Sequence, residues 1–145
     1  MAITRSRRVR RWLREDQPWL LLLRRDATAV ITDEMITTIT PADLAAMVAA
    51  KPGALDIVDV RDPEEWITGH VPGARLVPLA ELRSDPDAHL DRSKPVVFVC
   101  SKGVRSLQAS KLADRFGYDP IYNLESGTKG WASAGYELAH TTLAA

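Results

Sequence analysis

The chain has a single cysteine, Cys100, in 145 residues. One thiol excludes an internal disulfide framework, a Cys-x-x-Cys redox pair and any cysteine-rich zinc site. Lone thiols belong to reducing compartments, so cytoplasmic residence is the expectation. Histidine is scarce too. His70, His89 and His140 stand apart, and no two have metal-ligand spacing, so no metal site is expected. Long hydrophobic runs are missing from the N-terminal region. The apolar stretch there extends only from Pro18 to Leu23, between the acids Glu15 and Asp16 and the charged run Arg24, Arg25 and Asp26. A signal peptide needs about 7–15 apolar residues and a spanning helix about 20. The superficial likeness of "SRRVRRWL" to a twin-arginine export signal therefore lacks its apolar half, and no membrane span is expected.

Net charge is absent as well, since 19 basic residues balance 19 acidic ones. The balance hides an asymmetry. Eight arginines fall within residues 1–25 against Glu15 and Asp16, and the remainder is net acidic. Residues 1–34 read as a solvated basic extension, partly disordered, on an acidic body. Arginine clusters alone do not call for nucleic acid, and none is expected as a partner. Met35 is an alternative start. The length fits one domain, expected over residues 35–140, with 141–145 as a tail.

From Ile36 onward short β-branched runs alternate with amphipathic stretches, which predicts an α/β domain with a parallel sheet. Thr40 and Pro41 make the cap and first position of a helix whose inward face carries Leu44, Met47 and Val48. Strands are expected at 54–60, 74–79, 95–100 and 120–124. Helices are expected at "DPEEWITG", in short turns broken by Pro86, at "SLQASKLADRF" closed by Gly117, and at "GTKGWASAG".

Cys100 ends the most apolar of these strands, and ligands of open α/β sheets bind beyond the carboxyl ends of strands. Ser101, Lys102, Gly103, Val104, Arg105 and Ser106 follow before the expected helix. A short loop curling into a helix N-terminus turns successive N–H groups inward and cradles an anion. Gly103 permits the turn, and Lys102 and Arg105 add positive charge. Positive potential favours the thiolate, which suits nucleophilic attack by Cys100 on an anionic substrate. A cysteine ending a buried strand is ordinarily an inert small hydrophobe. The glycine, the arginine and the immediate helix start outweigh that here. Ser106 is expected to cap the helix or to donate to the thiolate.

Three segments carry a family resemblance. "DVRDPEEWITGHVPGA" (59–74) resembles D-V-R-x-x-x-E-[aromatic]-x-x-G-H-[IV]-P-G-A, and "VCSKGVRS" (99–106) resembles an active-site loop. "YNLESGTKGWASAGYEL" (122–138) resembles N-[LV]-x-G-G-x-x-x-W, with Ser126 where glycine is more usual. In this order they resemble a single-domain rhodanese, of the sulfurtransferase family. The resemblance implies a three-layer α/β/α domain that moves sulfane sulfur through a persulfide on Cys100, with no metal or organic cofactor. It implies a small anionic donor such as thiosulfate, and an external thiol, protein or cyanide as acceptor. With no second cysteine, the persulfide has no internal resolving thiol.

The loop from Cys100 to Arg105 is six residues, the sulfurtransferase length. Relatives acting on phosphate or arsenate have a longer loop, so a phosphatase or arsenate reductase is disfavoured. A persulfide-carrying delivery module is the other alternative. Lys102, two residues after the cysteine, resembles the thiosulfate branch. Arg61 and Glu65 lie four apart, a spacing that lets them pair. Both they and Asp59 are expected to support the site, Asp59 as a hydrogen-bond anchor. His70 is expected to order the turn before Pro72 and Gly73, and Trp66 and Trp131 to lie in the core.

Overall fold

The computed structural model describes residues 35–141. The basic extension and the last four residues, with the expectations attached to them, lie outside the described residues. The elements are β1 (Ile36–Ile39), α1 (Pro41–Ala50), β2 (Asp56–Asp59), α2 (Pro63–Trp66) and β3 (Arg75–Leu76). Then come α3 (Leu79–Ser84), α4 (Pro86–His89), β4 (Val96–Val99), α5 (Val104–Arg115), β5 (Ile121–Leu124) and α6 (Gly127–Ser133). All strand pairs are parallel, in the order β1-β5-β4-β2-β3.

β4 lies at the centre, between β5 and β2, and all four of its residues are buried. Its unbroken apolar sequence follows from burial on both faces. On one face Val96, Phe98 and Cys100 pack with Val58, Ile121, Leu82 and the α5 residues Ala109 and Ala113. On the other Val97 and Val99 pack with Ile57, Tyr122, Leu124, Leu44, Met47 and Trp131. Alternate side chains of one strand thus feed two cores, and helices cover both. Ala109 and Ala113, one turn apart, present methyl groups to the sheet, which lets α5 lie close against it.

The local signals behave as their chemistry requires. Thr40 and Asp43 form a reciprocal capping box, each side chain accepting from the other's N–H at 3.1 and 2.9 Å. Gly117, with φ +84°, follows α5 and lets its last carbonyls accept from Gly117 and Tyr118. Asp85 and Pro86 divide α3 from α4. Trp66 and Trp131 are buried as expected. One strand was not individually expected. β1 is a four-residue edge strand with two threonines at its centre, and its register with β5 (Ile36 opposite Ile121) defines it.

Candidate active site

Cys100 follows directly on β4 and is 1% exposed. The chain then turns sharply. Gly103 adopts φ +101°, a conformation that a β-carbon resists, and caps α5 at Val104. This turn carries the Gly103 N–H back to the Cys100 sulfur, which accepts it at 2.9 Å. The Ser106 hydroxyl lies 3.3 Å from the same sulfur. Burial pushes the thiol up. The Ser106 hydroxyl and N–H, with the N–H groups of Gly103 and Lys102, outweigh burial and hold it below its ordinary range. Deprotonation is therefore easier than for an ordinary thiol, although the sulfur is almost sealed.

Above the sulfur lies a shallow cavity of about 240 Å³ lined by Glu65, Cys100, Ser101, Lys102, Val104 and Arg105. Five of the predicted loop residues thus line or floor one opening. Gly103 and Ser106 act from beneath it, on the sulfur itself.

Two expectations need correction. α5 begins at Val104, two residues earlier than expected, so Ser106 lies inside its first turn and does not cap it. Gly103 holds the cap position instead, because only its positive φ brings the chain round over the sulfur. Arg61 and Glu65 do not pair. Arg61 precedes Asp62, the cap of α2, so the helical spacing does not apply to it. Its guanidinium turns into the core. There it donates to Asp59 through Nε at 3.0 and 3.1 Å and through Nη2 at 2.9 Å, and to the Gly69 carbonyl at 2.8 Å.

Glu65 instead takes Arg105 in a bidentate pair, both bonds 2.8 Å. Its Oε2 also accepts from the Asp62 N–H at 3.0 Å, completing the α2 capping box. Hydrogen bonding to Arg105 holds the Glu65 carboxyl down to about 2 against a smaller upward push from burial. The same bonds raise Arg105 further above its ordinary value. Glu65 thereby ties the helix after β2 to the first turn of the helix after β4. Asp59 and Arg61 anchor the carboxyl end of β2 behind it.

His70 is buried and stacks on Trp66, with centroids 3.6 Å apart. Its ring nitrogens meet the Val71 carbonyl and the Thr141 hydroxyl, not Cys100. It orders the turn, as expected.

Asn123 in β5 and Thr128 in α6 were overlooked in the sequence reading, and with the Lys129 main chain they hydrogen-bond to the loop after Cys100. Thr128 donates to the Cys100 carbonyl through its N–H at 2.8 Å and its hydroxyl at 3.1 Å. The Lys129 N–H donates to the Ser101 carbonyl at 3.1 Å, and Asn123 Nδ2 to the Gly103 carbonyl at 3.4 Å. A β-carbon on Gly127 would lie 2.2 Å from the Cys100 oxygen, so glycine is what allows this approach. That glycine, standing in the closing motif, was the available signal.

Among the described residues, no three His, Cys, Asp or Glu side chains gather as a metal site, and no helix is long and apolar enough to cross a membrane.

Comparison with known proteins decides the family. The rhodanese-like domain family matches residues 40–134. The chain belongs to the rhodanese-like domain family. The uncharacterized protein YqhL of Bacillus subtilis is 39% identical over 75 residues, 52% of this chain and 59% of that protein. The probable adenylyltransferase/sulfurtransferase MoeZ of Mycobacterium tuberculosis is 34% identical over 97 residues, 66% of this chain and 24% of that one. The chain thus spans less than two thirds of these curated relatives. Among solved structures, a rhodanese-related protein from Thermoplasma volcanium superposes with a TM-score of 0.63 at 29% identity, covering 72% of this chain and 98% of its own. The thiosulfate sulfurtransferase of Pseudomonas aeruginosa gives 0.64 at 28% identity, covering 72% of this rhodanese-like chain and 20% of its own.

Proposed function

We propose that this rhodanese-like protein is a sulfurtransferase working through a persulfide on Cys100. The observation that carries the reading is the sulfur itself. It is buried, it accepts the Gly103 N–H at 2.9 Å, and Cys100 lines a small cavity beside Lys102 and Arg105. The Cys100 thiolate attacks the outer, sulfane sulfur of thiosulfate or a similar anionic donor. The donor's sulfur–sulfur bond breaks, and sulfite leaves with the electron pair. The N–H groups of the loop stabilise the charge that remains on the persulfide. An external nucleophile, cyanide or a thiol, then attacks the outer sulfur, and the thiolate is restored. Lys102 draws the donor, and Arg105, held by Glu65, shapes the rim.

Intact mass before and after incubation with thiosulfate tests this. A gain of about 32 Da, reversed by cyanide and absent in Cys100→Ser, is expected of an activated thiolate. A wild-type protein that gains no mass from thiosulfate or 3-mercaptopyruvate would refute the small-donor reading. One observation favours delivery to a protein partner as a second reading. Val104, on the cavity lining, is 66% exposed and so presents an apolar side chain at the opening, where a partner surface would rest. Fast protein-to-protein transfer with slow thiosulfate turnover would support it.

A further inference from the structure

We infer that Asn123 and Thr128 are positioning residues. They hold carbonyls of the Cys100 loop away from the cavity and so turn the N–H groups of Ser101 and Val104 towards it. The inference rests on the reading of Cys100 as the reactive thiol.

A trans peptide is planar, with its C=O and N–H pointing in opposite directions. Fixing the oxygen therefore fixes the hydrogen. Among the described residues the only cis peptide is Asp119–Pro120, so the loop peptides are trans. Three loop carbonyls have donors on the β5–α6 side. Cys100 O takes the N–H and hydroxyl of Thr128, Ser101 O takes the N–H of Lys129, and Gly103 O takes the Asn123 amide. The opposing N–H groups belong to Ser101, Lys102 and Val104. The Lys102 N–H, opposite the Ser101 carbonyl that the Lys129 main chain holds, is accordingly among the groups that lower the Cys100 thiol. The same geometry applies to its neighbours.

Asn123 adds a second indication. It is buried, and its Oδ1 has no hydrogen-bond partner. A buried amide with an orphaned acceptor costs stability that an apolar residue would not. What it offers in return is the Nδ2 donor to Gly103 O. Thr128 is likewise buried, and both its donors converge on one oxygen. Gly127 makes the approach possible, since any β-carbon there would strike the Cys100 and Ser101 peptide.

The test is the pH profile of Cys100 alkylation by iodoacetamide, on the full chain, with thermal melts alongside. The chain has one thiol, so the profile has one source. Wild type is compared with Thr128→Val, Thr128→Ser and Asn123→Leu. The valine and leucine variants are expected to raise the midpoint by about 0.5–1 pH unit, and the serine variant to match wild type. Asn123→Leu is expected to melt no lower than wild type, because it removes the orphaned acceptor together with the donor. A folded Thr128→Val with an unmoved profile overturns the role of Thr128, as does a Thr128→Ser that shifts equally. An unmoved Asn123→Leu overturns that of Asn123, and it decides alone if Thr128→Val does not fold. Alkylation needs no sulfur donor, so a failed persulfide assay and a failed positioning role are told apart.

Discussion

At the residue scale, two opposing effects meet on Cys100. Burial alone would make it an inert thiol, and Ser106 supplies the largest downward pull. Ser106→Ala is expected to raise the alkylation midpoint by about one pH unit, with little change in melting temperature. The paired charges make different predictions. Asp59 and Arg61 are both sealed in the core. Removing the carboxylate in Asp59→Ala leaves a buried guanidinium uncompensated and is expected to cost about 3–5 kcal/mol in urea unfolding. Glu65 and Arg105 are each about one third exposed, so solvent screens much of their attraction. Their pH dependence still has a definite sign. The folded Glu65 carboxyl sits at about 2, below its ordinary 4.5. Its stabilisation is present above pH 4.5 and is lost as pH falls towards 2. The melting-temperature gap between wild type and Glu65→Gln is expected to narrow across that window.

At the element scale, the connection between β5 and α6 stores strain beside the site. Ser126 holds φ +62° at the cap of α6, a conformation that costs a residue with a β-carbon roughly 1–2 kcal/mol. Ser126→Gly is expected to stabilise the fold by about 1 kcal/mol, read as a raised urea midpoint with an unchanged slope. Gly127→Ala is expected to do the reverse. Its β-carbon would meet the Cys100 carbonyl at 2.2 Å. Overpacking of this kind costs about 1–3 kcal/mol, and it would displace the loop that follows Cys100. Slower alkylation in that variant, beyond any loss of stability, would report the displacement.

At the scale of the whole molecule, residues 35–141 contain five strands, and buried clusters lie on both sheet faces. A chain beginning at Met35 is therefore expected to unfold in one cooperative transition by circular dichroism and to form the same Cys100 adduct with iodoacetamide. Loss of either would mean that residues 1–34 complete the fold.

Much of this organisation was legible along the chain. Unbroken apolar runs mark strands buried on two faces, and Thr40, Pro41 and Gly117 mark helix ends, because these are local consequences of backbone chemistry. The cysteine and the glycine three residues on marked the sharp turn between β4 and α5 for the same reason. Contacts between distant segments were not legible. The edge strand β1 depends on its pairing with β5. Arg61 passes over Glu65 for Asp59, and Glu65 reaches 40 residues to Arg105. Asn123 and Thr128 meet the loop from another strand and helix altogether. A sequence on its own determines which backbone conformations are cheap and where the thiol falls in the strand–loop–helix order. Which charges pair, and which donors hold the loop, depend on where the sheet sets strands β2, β4 and β5 side by side, and only the tertiary structure decides that.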